Sequence, residues 1–302
     1  MNFLTFLHQG EPHAGLVIEG KVLDLASVPG LEHGPGMSLE QLIVAGEPAL
    51  ELVRRAQAKM LASSLDGLVD LANVTVLAPI PRPRKNVFCV GRNYKEHVEE
   101  AARARGAQVQ LPEYVQFFSK PPTTVIGPYD DIPWESSLTQ QLDYEVELGI
   151  VIGRKGKNIS RDDALSHIFG YTVINDITAR DLQKRHGQWF KGKSLDGSCP
   201  MGPFIVHASA IPDPQALEVR LTVNGEIRQQ APTSMMIFDV REIIHQLSAG
   251  LTLEPGDIIA TGTPSGVGFA MTPSGVLKDG DIVVAEVPGV GLLRNRVSQV
   301  DA

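Results

Sequence analysis

The chain has 302 residues, a formal net charge of −8 and two cysteines. The negative charge and the lack of a basic tract argue against a nucleic-acid-binding surface. Two cysteines make no disulfide framework, so we expect a protein of the reducing cytoplasm. The N-terminus has no secretory pattern, and no apolar run approaches the roughly 20 residues of a membrane helix, so neither export nor membrane insertion is predicted.

Residues 1–80 are predicted to form a small N-terminal α+β domain. Short strands come first, and a helical stretch follows over residues 38–62. Gly46 and Pro48 should interrupt this helix. The proline-rich segment 79–85 is extended in character and predicts a link to the next unit.

Residues 81–302 are predicted to form the second and larger unit, in which strands outnumber helices. Helices are expected at 93–106, 160–168 and 238–250. The pair Asn224-Gly225 predicts a β-hairpin. The 29 glycines and 21 prolines favour many turns. The predicted fold class is therefore α+β and rich in β-sheet, without the regular alternation of a doubly wound sheet.

The stretch LDYEVELGIVIG, residues 142–153, predicts a strand because apolar residues recur at every second position. Its other face carries Asp143, Glu145 and Glu147, about 7 Å apart. At an effective dielectric near 20, two such charges repel by about 2 kcal/mol. If the face is exposed, water screens this repulsion. If it is buried, either the pKa values rise or a cation lies between the carboxylates. The strand alone leaves both interpretations open.

Asp176 ends the next predicted strand and precedes a helix-like segment. It is either the N-terminal cap of that helix or a third carboxylate beside Glu145 and Glu147. Three carboxylates would suit Mg²⁺, which prefers oxygen ligands. No Cys/His cluster has the spacing of a zinc site.

His97 and Glu100 are three residues apart on a predicted helix and therefore share a face. A glutamate that binds one nitrogen of a histidine fixes the tautomer of a general base. Charged neighbours surround the pair, and on spacing alone a solvated surface helix is the favoured interpretation.

Two glycine-containing segments resemble phosphate-binding or ligand-binding loops only in part. GQWFKGKS, residues 187–194, fits the phosphate-loop pattern, but no buried strand leads into it, so we interpret the match as accidental. Lys193 is then either an exposed lysine or a group that stabilises an enolate or carboxylate. ATGTPSGVG, residues 260–268, either forms a turn or presents backbone N–H groups and the hydroxyls of Thr263 and Ser265 to a carboxylate.

Six segments in chain order resemble the fumarylacetoacetate hydrolase family, and together they cover about residues 83–296. They are FCVGRNYKEHVEE, FFSKPPTTVIGP, QLDYEVELGIVIG, FGYTVINDITARDLQ, KGKSLDGSCPMGP and GDIIATGTPSGVG. The resemblance implies a catalytic domain built as a mixed β-sandwich roll, and a homodimer. The leading segment looks like the small N-terminal domain of short bacterial members.

The resemblance also implies roles for individual residues. Mg²⁺ or Mn²⁺ would be bound by Glu145, Glu147 and Asp176, with Asp143 as a neighbour. His97 and Glu100 match a dyad that activates water, and Lys193 matches a lysine beside the metal. The positions that would contact substrate are Arg180, Gln183 and Thr263.

One position departs from the family pattern. Val90 stands seven residues before His97, where fumarylacetoacetate hydrolases themselves carry an acidic ligand. This departure points to the acylpyruvase and oxaloacetate decarboxylase branch.

The function implied is metal-dependent hydrolysis of acylpyruvate-type 2,4-dioxo acids. His97 would activate water for attack at the C4 carbonyl, and the metal and Lys193 would hold the pyruvate enolate. The alternatives within the same site are oxaloacetate decarboxylation and isomerisation or decarboxylation of 2-hydroxyhepta-2,4-diene-1,7-dioate. The alternative outside enzymes is a catalytically silent metal-binding regulatory protein. The expected partner is a small-molecule 2-oxo acid.

Overall fold

The structure, a computed structural model, describes residues 1–31, 37–63, 65 and 67–301. In chain order the strands are β1 Asn2–His8, β2 Glu11–Ile18, β3 Lys21–Asp24, β4 Val69–Asp70, β5 Val76–Leu77, β6 Val87–Gly91, β7 Gln116–Lys120, β8 Val125–Ile126, β9 Ile132–Trp134, β10 Leu142–Asp143, β11 Val146–Ile152, β12 Ile168–Asn175, β13 Thr178–Ala179, β14 Cys199–His207, β15 Glu218–Val223, β16 Glu226–Pro232, β17 Ile258–Ala260, β18 Ile282–Val287 and β19 Gly291–Gln299. The α-helices are α1 Leu39–Ala45, α2 Glu47–Leu61, α3 Lys95–Ala104, α4 Arg180–Arg185, α5 Phe190–Lys193 and α6 Val240–Ser248. Strands dominate, which confirms the predicted β-rich α+β class.

One long sheet passes through both predicted units. Its strand order is β4-β3-β2-β1-β14-β12-β11-β17-β6-β7, with β5 and β8 paired to its side. The joint is antiparallel pairing of β1 with β14, where Phe3 lies opposite Ile205. The two units on either side of the proposed boundary near residue 80 therefore share one sheet.

A second sheet has the order β16-β15-β18-β19-β9. The larger apolar core includes side chains of both sheets, such as Leu148 and Val173 from the long sheet and Leu221 and Ala285 from the second. This is the packing expected of a β-sandwich. A second core includes Val151 of β11 together with Leu42 of α1 and Val53 of α2, so β11 is buried on both faces.

Local sequence signals account for two connections. The predicted helix over 38–62 breaks at Gly46, whose φ of 65° lies in the left-handed region, and resumes with Pro48 in its first turn. Asn224 and Gly225, with φ of 52° and 83°, form the turn between β15 and β16. Both predictions are confirmed.

Two predictions of extent are wrong. The strand expected over 142–153 is divided into β10 and β11, because β10 pairs with β13 whereas β11 pairs with β12 and β17. The helix expected over 160–168 is reduced to a 3₁₀ turn at Ala164–His167. Here the Ser160 hydroxyl donates to the Asp163 carboxylate and accepts the Asp163 N–H, and such side-chain bonds compete with a regular helix.

Among the described residues, no helix combines the length and apolarity that a membrane crossing requires.

Candidate active site

The three predicted carboxylates meet beside the centre of the long sheet. Glu147 lies in β11, Glu145 just before it, and Asp176 just after β12; β11 and β12 are antiparallel neighbours, which places these positions side by side. One potential ligand atom from each carboxylate lies within 4.8 Å of the others. All three side chains are buried, so the interpretation as a solvated face is wrong. Asp176 is not a helix cap, since α4 begins only at Arg180.

Three cations of the chain contact this carboxylate triad. Lys193 Nζ donates to Glu145 Oε2 at 2.7 Å and to Asp176 Oδ2 at 2.6 Å. Lys120 Nζ donates to Asp176 Oδ1 at 2.8 Å. Arg180 Nη2 lies 2.6 Å from Glu145 Oε1. Lys120 and Lys193 are both almost completely buried, so their charges are neutralised mainly by these carboxylates.

Lys120 was missed by sequence reasoning. It ends β7, two residues after Phe118, and its partner Asp176 is 56 residues away along the chain. The available signal was a lysine at the end of a strand that also contains Phe117 and Phe118. Such a strand can bury its lysine, and a buried lysine is rare unless a carboxylate pairs with it.

The environment of the triad separates its members. Burial tends to raise the pKa of Glu145, but the charges of Lys193 and Arg180 hold it well below its usual range. Burial and the neighbouring charges of Asp176 and Glu145 raise the pKa of Glu147. Burial alone would lower the pKa of Lys193, yet Asp176 and Glu145 raise it.

Glu147 is the member of the triad that most needs another cation. Its Oε2 accepts the N–H of Gly262 at 2.6 Å, and within the described ranges no lysine or arginine pairs with it. Positive charge added beside Glu147 would relieve the repulsion between its carboxylate and those of Glu145 and Asp176. A hard divalent cation with oxygen ligands fits this donor set.

His97 and Glu100 contact each other on α3, with His97 buried and Glu100 partly buried. His97 Nδ1 lies 2.9 Å from Glu100 Oε1, and Glu100 Oε2 accepts the N–H of Gly266 at 2.8 Å. His97 is 8% exposed, so the pair does not lie on a solvated surface as spacing alone suggested. With Nδ1 held by Glu100, Nε2 is the nitrogen left for proton transfer.

Six of the nine predicted site residues line one cleft, which is partly open to solvent. Of the predicted site residues, the cleft is lined by His97, Glu145, Arg180, Gln183, Lys193 and Thr263. The lining does not include Glu100, Glu147 or Asp176. Glu100 contacts His97 of the lining, and Asp176 contacts Lys193. Trp189 and Phe118 form an aromatic wall with ring centroids 5.6 Å apart.

Asp143 is not a member of the triad. Its carboxylate accepts from Arg180 Nε at 2.8 Å and from the N–H groups of Gly268 at 2.7 Å and Phe269 at 3.1 Å. Its oxygens are bound to Arg180 and to the loop at 268–269, and through Arg180 it is joined to Glu145 of the triad.

The two glycine-containing segments also have clear outcomes. In residues 260–268, the backbone N–H groups of Gly262, Gly266 and Gly268 bind carboxylates, and these belong to the protein itself. In residues 187–194, only the one-turn helix α5 forms, and no strand leads into it, as expected for an accidental match to a phosphate loop.

Comparison with known proteins shows similarity along nearly the whole chain. The chain is 45% identical to oxaloacetate tautomerase YisK of Bacillus subtilis (strain 168), over 98% of this chain and 100% of that protein. It is 42% identical to the mitochondrial oxaloacetate tautomerase Fahd2a of Rattus norvegicus, over 96% and 88%.

Solved structures agree in fold. A fumarylacetoacetate hydrolase from Exiguobacterium antarcticum superposes with a TM-score of 0.82 at 41% identity, covering 99% of this chain and 100% of that one. A maleylpyruvate hydrolase from Sphingobium sp. SYK-6, in complex with manganese (II) ion and pyruvate, has a TM-score of 0.76 at 31% identity, covering 99% of each chain. Residues 86–298 match the family described as fumarylacetoacetate (FAA) hydrolase C-terminal. With its buried carboxylates, its histidine–glutamate pair and this match, the chain belongs to the fumarylacetoacetate hydrolase family of enzymes.

Proposed function

We propose that this protein catalyses the keto–enol tautomerisation of oxaloacetate or a closely related 2-oxo acid, with Mg²⁺ or Mn²⁺ bound by Glu145, Glu147 and Asp176. The observation that carries the proposal is the presence of His97 and Lys193 in one cleft beside the triad. Enolisation needs one base and one group that stabilises negative charge on oxygen, and these two side chains supply them. The names of the two relatives above support oxaloacetate as the substrate.

Tautomerisation moves a proton from C3 of the substrate to the oxygen on C2. A bound divalent cation supplies Lewis-acid polarisation of the 2-oxo group. His97 Nε2 takes the C3 proton, and Glu100 stabilises the resulting imidazolium through Nδ1. In this proposal the Lys193 ammonium, which is kept charged by Glu145 and Asp176, stabilises the negative charge that develops on the oxygen of C2. The proton then returns from His97 to that oxygen.

The first test is His97→Asn. The assay follows the loss of enol absorbance of oxaloacetate with Mg²⁺ present, and the buffer-catalysed rate is subtracted. We expect this rate to fall roughly 100-fold or more, which is the usual contribution of a general base. The rate should fall less in Glu100→Gln, because the base His97 remains. His186→Asn is the control, since His186 is an exposed histidine outside the cleft. Near-normal conversion by a folded, metal-binding His97→Asn protein would contradict the proposal.

Hydrolysis of acylpyruvates is the second candidate, and the similarity to the maleylpyruvate hydrolase favours it. In that reaction His97 takes a proton from water, the water oxygen bonds to C4, and the C3–C4 bond breaks to leave pyruvate enolate beside Lys193. Oxaloacetate decarboxylation would leave the same enolate by loss of CO₂, without water.

One comparison separates these reactions. Pyruvate release from acetylpyruvate or oxaloacetate, with Mg²⁺ or Mn²⁺ and again with EDTA, reports hydrolysis or decarboxylation. Exchange of the C3 hydrogens of oxaloacetate with solvent, without pyruvate release, reports tautomerisation alone.

A further inference from the structure

Helix α3 and its C-terminal flank present more than His97 to the cleft. His97, Ala101 and Arg105 all line it. They are four residues apart and therefore share one helix face, with about 12 Å along the axis between His97 and Arg105. Ala101 between them has only a methyl group, so it leaves space between the side chains of His97 and Arg105 on this face. One face of the helix thus offers a base and a cation to the same space.

Arg105 differs from the other cations of the cleft because, among the described residues, its side chain makes neither an ion pair nor a hydrogen bond. Arg92, which also lines the cleft, has no carboxylate partner either, but its guanidinium donates to the carbonyl of Gln110. Arg180 is bound by Asp143 and Glu145, and Lys193 by two members of the triad. In the part of the chain that the structure describes, Arg105 forms no ion pair; its guanidinium carbon lies 5.4 Å from the ring centroid of Phe269. Arg105 therefore supplies positive charge at the cleft that a ligand can neutralise.

The surroundings of Arg105 are themselves positive. Partial burial and the charges of Arg180 and Arg92 lower the pKa of Arg105. Arg180 lies against the same Phe269 ring, 4.6 Å from its centroid. The ring contacts two guanidinium groups, one already paired with Asp143 and Glu145 and one exposed toward solvent. Of the two guanidinium groups at this ring, Arg105 is therefore the one left to bind an anionic group of a ligand.

We propose that Arg105 binds the second carboxylate of a dicarboxylic 2-oxo acid and so selects dicarboxylates over 2-oxo monoacids. This specificity role rests on the proposed function, in which the first carboxylate and the 2-oxo group lie beside the triad and Lys193. A planar guanidinium suits this task because it binds a carboxylate through two parallel N–H groups.

The test measures binding apart from turnover. Calorimetric titration of the Mg²⁺-loaded protein uses oxalate, which has no distal group, and 3,3-difluorooxaloacetate, which has the distal carboxylate but no C3 hydrogen to lose. We expect Arg105→Ala to lower the affinity for difluorooxaloacetate about 10- to 100-fold, which is the usual contribution of a charge-assisted hydrogen-bonded pair. The affinity for oxalate should change by no more than about twofold. Arg105→Lys should recover part of the loss.

Arg103→Ala is the matched control. Arg103 is an exposed arginine in the last turn of α3 and does not line the cleft, so its loss removes the same charge from the same helix end. It should leave both ligands unaffected. Equal weakening of oxalate and difluorooxaloacetate by Arg105→Ala, or no weakening of either, would overturn the role of Arg105.

Turnover tests the proposed function separately. With oxaloacetate, Arg105→Ala should raise KM about tenfold and change kcat little, since the base and Lys193 remain. If the wild-type protein binds difluorooxaloacetate in an Arg105-dependent way but does not convert oxaloacetate, tautomerisation fails and the dicarboxylate site stands. If it converts oxaloacetate equally well with and without Arg105, tautomerisation stands and the site fails.

Discussion

Asp143 organises the cleft without contacting the place where a cation would bind. Its buried carboxylate joins Arg180 to the N–H groups of Gly268 and Phe269. Phe269 in turn contacts the guanidinium of Arg180. Asp143 is therefore a positioning residue for Arg180 and for the loop at 268–269.

We expect Asp143→Asn to lower the free energy of unfolding in urea by about 1–3 kcal/mol, because Arg180 loses a charged partner while the side-chain shape is kept. The Mn²⁺ affinity, measured by calorimetric titration, should change much less than in Glu147→Gln. Asp162→Asn, an exposed aspartate, is the control for both measurements. An Mn²⁺ affinity that falls as far as in Glu147→Gln would place Asp143 among the ligands after all.

At this scale, what the sequence predicts is what lies close together along the chain. Glu145 and Glu147 are two residues apart, and His97 and Glu100 are three apart, so one strand or one helix turn brings each pair together. The partners of Lys120 and Asp143 were beyond reach, since Asp176 and Gly268 lie 56 and 125 residues away along the chain. The burial of His97 also depends on tertiary packing, which helical spacing does not report.

The loop 262–269 is the element that ties the site together. Its N–H groups reach Glu147 on β11, Glu100 on α3 and Asp143 on β10. Gly266 has a φ of +106°, and a Cβ there would lie 1.8 Å from the carbonyl oxygen of Arg228. The close approach of the loop to β16 therefore requires glycine.

Gly266→Ala should lower the free energy of unfolding by about 3 kcal/mol or more, through the clash and the left-handed backbone together. Gly289→Ala is the control: its φ is +84° but nothing lies within 4 Å of its added Cβ, so only about 1–2 kcal/mol is expected. Urea denaturation of both variants measures the difference. Equal losses would mean that the loop moves freely away from Arg228.

Element boundaries were predicted where local chemistry decides them. The break at Gly46 and the turn at Asn224-Gly225 follow from backbone preferences of those residues. The division between β10 and β11 does not, because it reflects which strands pair on each side. There the N–H of Glu145 donates to the side-chain oxygen of Asn175 in β12 and not to a backbone carbonyl.

For the molecule as a whole, the continuous sheet predicts one cooperative unit. Phe3 of β1 is fully buried and its ring lies 5.4 Å from that of Phe169 in β12, across the proposed domain boundary. We expect differential scanning calorimetry to show one unfolding transition. Phe3→Ala should lower its midpoint by removing about 3–5 kcal/mol of packing, without dividing it. Two transitions, of which only the lower responds to Phe3→Ala, would show that the units unfold separately.

The carboxylate triad lies on β11 and β12 and at their ends, whereas the base and Arg105 lie on α3 and its flank. This division of the site between two parts of the fold has an evolutionary consequence. A substitution on the α3 face can change which substrate is accepted, or whether a proton is taken from carbon or from water, while the cation ligands stay in place. A duplicated gene could therefore acquire a new reaction through a few changes in one ten-residue helix and its flank. Directed evolution confined to positions 97, 101 and 105 would be the shortest route to follow such a change in the laboratory.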